Sequence, residues 1–352
     1  MKRVLTYLFA AGMMISAASL MFTSCTKEGP QGPAGANGTN GENGQDANAT
    51  CTQCHNFSDL IVAKIFQYDA SQHATGSVTT RNTTVCAPCH TSQGFQECLT
   101  TGAWETSETI QNPAPPNCRT CHKIHDTYTA SDWSLRTEAS FTNMLGGTTD
   151  ITTEGGNSTG NLCGRCHQSR PATPEITDPT STTTTLQPTS YRYGPHYGTQ
   201  GPMLAGTGGY DINGDGLLAN SYHTNRATCV DCHGAAASGN VTGGHTLWPN
   251  TTGCNISACH DGGVTTLNYE GKQTIIEEGL VMLVDKLALA GVVDTVGHPG
   301  YLDTSVPHTQ KLLAIYYNYK FIQGDKSNGI HNFKRANGMI TDGIAYLESL
   351  GY

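Results

Sequence analysis

The feature that most constrains this chain of 352 residues is a short segment, rich in cysteine and histidine, that occurs six times. In five copies two residues separate the cysteines and a histidine follows the second cysteine directly, whereas the sixth copy has four residues between its cysteines. The copies use twelve of the fourteen cysteines and leave Cys25 and Cys98. The segments are CTQCH at 51–55, CAPCH at 86–90, CRTCH at 118–122, CGRCH at 163–167, CVDCH at 229–233 and CNISACH at 254–260.

Each copy predicts the covalent attachment of a c-type haem. Two thiols must reach the two vinyl groups at one porphyrin edge, and the histidine that follows can then turn inward to the iron. Zinc knuckles and thioredoxin-like redox pairs are the alternatives, but neither needs a histidine directly after the second cysteine. The predicted attachment residues are Cys51, Cys54, Cys86, Cys89, Cys118, Cys121, Cys163, Cys166, Cys229, Cys232, Cys254 and Cys259, and the predicted proximal ligands are His55, His90, His122, His167, His233 and His260.

The composition agrees with a chain that folds around bound groups. Only 37% of the residues are hydrophobic, against about 45–50% in ordinary globular proteins, and only 13% are charged. The formal net charge of −9 provides no basic surface for nucleic acid, so that class of partner is set aside. Unequal intervals between the motifs argue against a true repeat, so we expect short helices and loops wrapped around porphyrins.

The N-terminus resembles a bacterial lipoprotein signal. Met1-Lys2-Arg3 is followed by an apolar stretch that ends in Thr23-Ser24-Cys25, and these features are typical of a secretory signal over residues 1–24. Small residues before Cys25 resemble a lipobox, although Phe22 stands where such sites usually carry leucine. Acylation of Cys25 would tether the protein to a membrane without a transmembrane span.

A glycine at every third position from Gly29 to Gly44 follows this cysteine. That period is the collagen requirement, but with so few triplets and prolines we favour a flexible spacer over residues 25–48. Similar stalks follow the lipid-modified cysteine of Bacteroidetes-like surface lipoproteins, which this start resembles. The expected location is therefore the bacterial cell envelope, on the periplasmic or surface-exposed face of the outer membrane.

Eight histidines remain outside the motifs, which would supply a second axial ligand to every iron with two to spare. His73, in SQHATG, lies between the first two motifs and could serve an early haem. His125, in CHKIH, cannot easily reach the far side of the haem held by His122, so a neighbouring haem is the more plausible target.

The chain resembles bacterial multihaem c-type cytochromes in four further segments: YGPHYGTQGPMLAGTGGY at 193–210, SYHTNRATCVDCH at 221–233, GGHTLWP at 243–249 and GDKSNGIHN at 324–332. In that family the histidine of each such segment commonly serves as a distal ligand. The resemblance therefore implies distal roles for His196, His223, His245 and His331. His298 and His308 are then the two spare histidines.

The predicted fold is mainly α with extensive loops, organised around covalently bound haems. A six-haem domain is expected over 49–270, and a C-terminal helical segment over 271–352 is expected to pack on the haems and to supply one distal ligand. Apolar periodicity predicts helices at Thr274–Ala290, Ser305–Ile322 and from about Phe333 to Leu350. We expect the Tyr316, Tyr317 and Tyr319 cluster to serve packing rather than electron hopping.

Two other features allow a functional interpretation. Asp211, Asn213 and Asp215, in DINGDG, resemble the first half of a calcium loop, but Tyr222 stands where such loops need an acid. A tight surface turn is the favoured interpretation there. Cys98 has no partner in the mature chain once Cys25 is acylated, so we expect an inert buried thiol.

Three functions remain open at this point. The first is an electron relay through six bis-histidine haems, in respiratory or extracellular electron transfer, with membrane quinol-linked proteins, periplasmic cytochromes or extracellular acceptors as partners. The second is a reductase of the nitrite, hydroxylamine or tetrathionate type with one open haem iron. The third is a subunit of a cytochrome filament, although a lipid anchor argues against a filament that is shed.

Overall fold

Short helices joined by long loops form most of the structure, and the longest helices lie at the C-terminus. The computed structural model describes residues 59–76, 78–216, 218–256 and 259–352. These residues belong to one compact unit. The signal segment, the spacer, Cys25 and the first motif at 51–55 lie outside the described residues, so the predictions for them stay predictions.

The helices follow one another with few strands between them. Short 3-10 helices also occur at Ala130–Trp133, Gly244–Thr246 and Tyr269–Gly271. The α-helices are α1 (Asp59–Asp69), α2 (Ala87–His90), α3 (Ser92–Thr101), α4 (Cys118–Cys121), α5 (Gly160–Gly164), α6 (Gln200–Ala205), α7 (His223–Arg226), α8 (Cys229–His233), α9 (Thr251–Cys254), α10 (Lys272–Leu289), α11 (Gln310–Asp325) and α12 (Phe333–Ser349).

The strands of the described residues form antiparallel pairs of two residues each. β1 (Phe141–Thr142) pairs with β2 (Thr148–Thr149), and β4 (Val293–Asp294) pairs with β5 (Tyr301–Leu302). β3 (Thr185–Leu186) pairs with β6 (His308–Thr309), with Thr185 opposite Thr309 and Leu186 opposite His308. These short strand pairs connect loops, and in the described residues they form no extended sheet. The prediction of a mainly α, loop-rich fold is therefore confirmed.

The predicted C-terminal helices are present with shifted boundaries: α10 begins at Lys272 rather than Thr274, and α11 ends at Asp325 rather than Ile322. Helix α11 begins at Gln310 rather than at Ser305, because His308 and Thr309 form strand β6 and the Thr309 hydroxyl caps the helix by accepting from the Leu312 amide at 3.3 Å. Helix α12 begins after Asn332, whose side chain caps it by accepting from the Arg335 amide. A side-chain oxygen at such a position satisfies an amide that has no partner within the helix.

The apolar side-chain core lies mainly in the C-terminal part of the chain. Ile276, Leu283 and Leu287 of α10 are fully buried, as their helical spacing predicts. The three tyrosines of α11 are also buried, in agreement with a packing role. The fully buried members of this core with large side chains include Met203, Ile212, Leu302, Leu313, Ile315, Tyr316, Phe321 and Ile322.

Few large apolar side chains are buried in the part of the chain that carries the second, third and fourth motifs. Between residues 78 and 170 the buried ones are Phe95, Phe141, Ile151 and Leu162. In the same part and in α1, large apolar side chains remain exposed, including Phe66 at 56% and Leu145 at 50%. Side chains of this kind are normally covered when they lie close together in the native state.

A search of the described residues for a membrane-spanning segment found no helix with the length and hydropathy that a span requires.

Candidate metal-binding histidine pairs

In the second to fifth motifs a helical turn runs from the first cysteine to the histidine. The backbone amide of the histidine donates to the carbonyl of the first cysteine, at 3.1 Å for His90, 2.9 Å for His122 and 3.0 Å for His167. In the longer motif the His260 amide still donates to the Cys254 carbonyl, at 3.2 Å. The first cysteine and the histidine of the longer motif are therefore joined by the same kind of backbone hydrogen bond as in the shorter motifs.

Caps start two of these turns at the residue before the first cysteine. The Asn117 side chain accepts from the Arg119 amide, and the Thr120 hydroxyl accepts from the Asn117 amide. Before α8, the Asp231 carboxylate accepts from the amide of Thr228 at 2.7 Å. Reciprocal bonds of this kind fix where a helix begins, so the sequence around the motif sets the positions of both thiols.

Glycines let two neighbouring helices approach the motif turns closely. A Cβ at Gly94 of α3 would overlap the Ala87 carbonyl of α2, and one at Gly201 of α6 would overlap the carbonyl of His167. The Gly201 amide instead donates to the His167 carbonyl at 3.0 Å. Helices α3 and α6 therefore support the second and fourth motifs through direct backbone contact.

The histidine of every described motif faces a second histidine from another part of the chain. The distances between ring centres fall in a narrow range, from 6.1 to 6.5 Å. The pairs are His90 with His196 at 6.5 Å, His122 with His245 at 6.2 Å, His167 with His73 at 6.1 Å, His233 with His331 at 6.2 Å and His260 with His223 at 6.2 Å.

This separation fits one metal ion between the two rings of each pair. Two metal–nitrogen bonds of about 2 Å, plus about 1.1 Å from each nitrogen to its ring centre, place the centres about 6 Å apart. The two histidines of each pair could therefore both bind one metal ion.

Hydrogen bonds turn several of these rings so that Nε2 is available to a metal. His122 Nδ1 donates to the Trp133 carbonyl at 2.7 Å, and His233 Nδ1 donates to the Leu247 carbonyl at 2.7 Å. On the opposite side of a pair, His223 Nδ1 donates to the Ile330 carbonyl at 2.6 Å. A proton fixed on Nδ1 leaves the lone pair on Nε2, as in most metal-bound histidines.

Two more rings are oriented by side chains. His167 Nδ1 donates to Gln200 Oε1 at 3.0 Å, and His331 Nδ1 donates to Asp325 Oδ1 at 2.5 Å. Neither Gln200 nor Asp325 is predicted by the sequence, because an oxygen acceptor carries no motif of its own. The closeness of Asp325 to His331 in GDKSNGIHN was the only available signal.

Burial keeps two of the paired imidazoles in the form that binds metals. It lowers the pKa of His73 to about 4, with His167 and His233 adding to the effect. It also lowers the pKa of His196 to about 4, assisted by Arg170. Both rings are therefore neutral at pH 7, and a neutral ring is what a metal requires.

The remaining histidines occupy different environments. His125 has a positive φ of 66°, its amide donates to Asp132 Oδ2 at 2.8 Å, and its ring stacks on Tyr128 at 5.4 Å. His298 stacks on Tyr191 at 3.8 Å, and His308 Nε2 donates to the Asp303 carbonyl at 2.6 Å. Neither His298 nor His308 faces a described motif histidine.

Cysteines of different motifs also come into contact. Cys89 and Cys166 are hydrogen-bonded to each other, which lowers the pKa of Cys89 and raises that of Cys166. Cys163 and Cys229 form a second such pair, and this raises the pKa of Cys163. The fourth motif therefore touches both the second and the fifth.

The described residues fit the group that the motifs predict. No cluster of three or more His, Cys, Asp or Glu side chains able to hold a metal ion occurs among them, whereas structural zinc needs four ligands. A porphyrin supplies four ligands itself and needs only the paired histidines. Its flat apolar faces would also cover the exposed apolar side chains, and its carboxylates suit the buried Arg165 Nε, which has no hydrogen-bond partner in the described structure.

The DINGDG segment forms a tight turn. The Asp211 carboxylate accepts from the backbone amides of Asn213, Gly214 and Gly216, at 3.0, 2.9 and 2.6 Å. Burial alone would raise the pKa of Asp211, but these bonds outweigh it and hold the pKa below its usual value. Both carboxylate oxygens therefore face the loop's own backbone, as the preferred surface-turn interpretation expects.

Cys98 lines a cavity of about 280 Å³ together with Phe95, Trp104 and Phe141. Burial raises the pKa of its thiol to about 11, and Glu97 adds to the effect. The reactive form of a cysteine is the thiolate. At neutral pH this thiol is therefore protonated, as expected for an inert residue, but its side chain is only partly buried.

Comparison with known proteins finds a likeness in structure but none in sequence. No protein-family model matches the chain. No curated protein matches it either. A solved structure, described as the crystal structure of outer cell wall cytochrome OcwA, is similar with a TM-score of 0.49 and 18% sequence identity. The likeness covers 80% of this chain and 49% of that one, so the chain spans about half the length of that cytochrome.

Proposed function

We propose that the chain is a multihaem c-type cytochrome that relays electrons through six covalently bound haems, each with two histidine ligands. The observation that carries the proposal is the set of five histidine pairs, each joining a motif histidine to a histidine from elsewhere at 6.1–6.5 Å. Haem iron held by two imidazoles can accept and release one electron, at a lower potential than iron held by histidine and methionine.

His55 and His125 complete the set under this proposal. The five described pairs use every other predicted proximal and distal ligand. His125 then remains for the first motif at 51–55, in keeping with the expectation that it serves a haem other than its neighbour. The cofactor content that we propose is thus six haem c.

A relay is favoured over a reductase because the paired rings would close both sides of each of the five described sites. A reductase needs one iron with a vacant position beside acidic or cationic groups. In each described pair the second ring stands where such a substrate would bind. The five described pairs are also formed within one chain, so these sites do not need a histidine from a neighbouring subunit of a filament.

Contacts between the motifs support transfer from site to site. The Cys89–Cys166 and Cys163–Cys229 contacts bring the second, fourth and fifth attachment edges together. His73 also lies close enough to both His167 and His233 for their charges to affect its pKa. The fourth site is therefore the natural junction of the relay.

The proposed setting is the bacterial envelope. Acylation of Cys25 and the spacer at 25–48 would hold the relay at an outer-membrane surface, within reach of quinol-linked membrane proteins, periplasmic cytochromes or extracellular acceptors. The acidic net charge of −9 favours partners with cationic docking surfaces.

Low-temperature EPR of the fully oxidised, haem-loaded protein, normalised to its haem content, tests the proposal. We expect six covalent haems per chain and six low-spin ferric signals. A stoichiometric high-spin signal would identify an open iron and replace the relay with a reductase. Fewer haems than motifs would show that at least one motif has another role.

A further inference from the structure

The partner of His331 differs in charge from the partners of the other oriented rings. His122, His223 and His233 donate from Nδ1 to backbone carbonyls, and His167 donates to a side-chain amide. His331 instead donates to the Asp325 carboxylate at 2.5 Å. Within the described structure, this is the only one of the five rings that faces an acid.

The carboxylate lies in the interior of the protein. The Asp325 side chain has no exposed surface, and the His331 side chain has 18%. The second oxygen of the Asp325 carboxylate accepts a hydrogen bond from the Ser327 hydroxyl. The Ser327 oxygen in turn accepts from the His331 backbone amide at 3.2 Å. Both carboxylate oxygens are therefore engaged, one by the ligand ring and the other by a neutral donor.

Its place in the fold does not otherwise favour an acid. Asp325 is the last residue of α11, and a negative charge at a helix C-terminus is unfavourable. The chain then turns back through residues in the left-handed region, with φ of 65° at Lys326, 49° at Asn328 and 93° at Gly329. This strained turn is what brings the His331 ring onto the carboxylate.

We propose that Asp325 is a positioning residue that sets the reduction potential of the haem between His233 and His331 below those of its neighbours. This inference rests on the proposed function. A carboxylate that accepts from Nδ1 makes the ring a stronger electron donor through Nε2. A fixed negative charge also stabilises ferric iron over ferrous iron, and burial strengthens that interaction. Both effects lower the reduction potential of this haem.

The consequence is a difference in reduction potential between two neighbouring sites of the relay. The fourth site, next to the fifth through the Cys163–Cys229 contact, has the neutral Gln200 in the corresponding position. An electron is therefore held less tightly at the fifth site than at the fourth. Reduction adds one electron to the iron and requires no proton from Asp325.

Two substitutions in the full haem-loaded protein test this inference, because they should shift the potential of this haem in opposite directions. Asp325→Asn keeps the size and an acceptor but removes the charge. It should raise one of the six midpoint potentials by at least about 59 mV, which is a tenfold change in the ratio of oxidised to reduced haem. Ser327→Ala removes the neutral donor on the carboxylate and should lower the same potential. Optical and EPR-monitored redox titrations give the readout.

Asp285→Asn, at an exposed position of α10, is the control for net charge and should leave all six potentials unchanged. The inference is overturned if Asp325→Asn loads six haems and moves no potential, or moves one downward. If Asp325→Asn fails to mature, an unchanged or raised potential in Ser327→Ala overturns it instead. Failure of the proposed function is distinguishable, because it would appear as missing haems or a high-spin iron in the unsubstituted protein.

Discussion

At the scale of single residues, the hydrogen bond behind each ring matters as much as the ring itself. A histidine can coordinate through either nitrogen, and the carbonyls of Trp133, Leu247 and Ile330 fix that choice. These acceptors are backbone atoms, so any side chain could stand at their positions. Whether these carbonyls can orient the rings depends on the backbone conformation and not on the side chains at their positions.

Lys320 provides a residue-scale prediction about pH. Burial lowers its pKa to about 8 from 10.5, and Lys326 adds to the effect. Its ammonium group lies over the rings of Tyr301 and Tyr319, at 4.9 and 5.5 Å from their centres. Between pH 8 and pH 10.5 the unfolded chain therefore binds more protons at this site than the folded chain, so stability rises with pH there.

We expect Lys320→Met to be more stable than the wild type at pH 7, because it removes the cost of burying a charge. This advantage should shrink as the pH rises through 8 towards 10. Denaturant unfolding of both proteins at several pH values measures the difference, with the exposed Lys334→Met as the control. An advantage that does not change with pH would show that the Lys320 charge is not the cause.

At the scale of elements, the motif turns are too short to hold their own positions. Helices α2, α4 and α5 have four or five residues each, well below the length at which an isolated helix is stable. Neighbouring helices and loops must therefore fix them. The close approach of α6 to the His167 carbonyl, which Gly201 permits, is one such support.

We expect Gly201→Ala to push α6 away from the fourth motif and to destabilise the protein by about 1–3 kcal/mol, as overpacking commonly does. The displaced His167 should also change the low-spin EPR signal of its haem. Gly338→Ala, also within a helix, is the matched control, because its Cβ would meet only Leu218 at 3.8 Å. Equal behaviour of the two variants in denaturant unfolding and EPR would contradict the prediction.

At the scale of the whole molecule, the chain is stabilised in two different ways. Helices α10, α11 and α12 share a side-chain core of ordinary type. The second, third and fourth motifs lie where few apolar side chains are buried. Under the proposed function, porphyrin faces replace the missing core there.

A chain produced without haem should therefore fold only in part. We expect residues of α10, α11 and α12 to keep slow amide exchange, and residues 86–170 to exchange fast and to be cleaved by protease. Hydrogen exchange with mass spectrometry measures both regions in one sample, and the haem-loaded protein is the reference. Equal protection of both regions without haem would refute the idea that the cofactors form the core.

The sequence predicted more of the site than of the fold around it. The proximal ligands were predicted from local spacing, since each of these histidines directly follows a cysteine in the sequence. The C-terminal helices follow from apolar periodicity, and the exception at Ser305–Thr309 arose because strand β6 pairs with the distant β3. Long-range pairing of this kind leaves no local pattern.

By itself, the sequence predicted which residues could attach haem and determined which histidines are available as second ligands, because both depend on residue identity and short spacing. Only the tertiary structure decided that His73 faces His167, that His245 faces His122 and that His331 faces His233. These partners are far apart along the chain, and their meeting depends on how loops and helices pack. The buried carboxylate behind His331 was decided at the same level, because a turn with positive φ angles places it there.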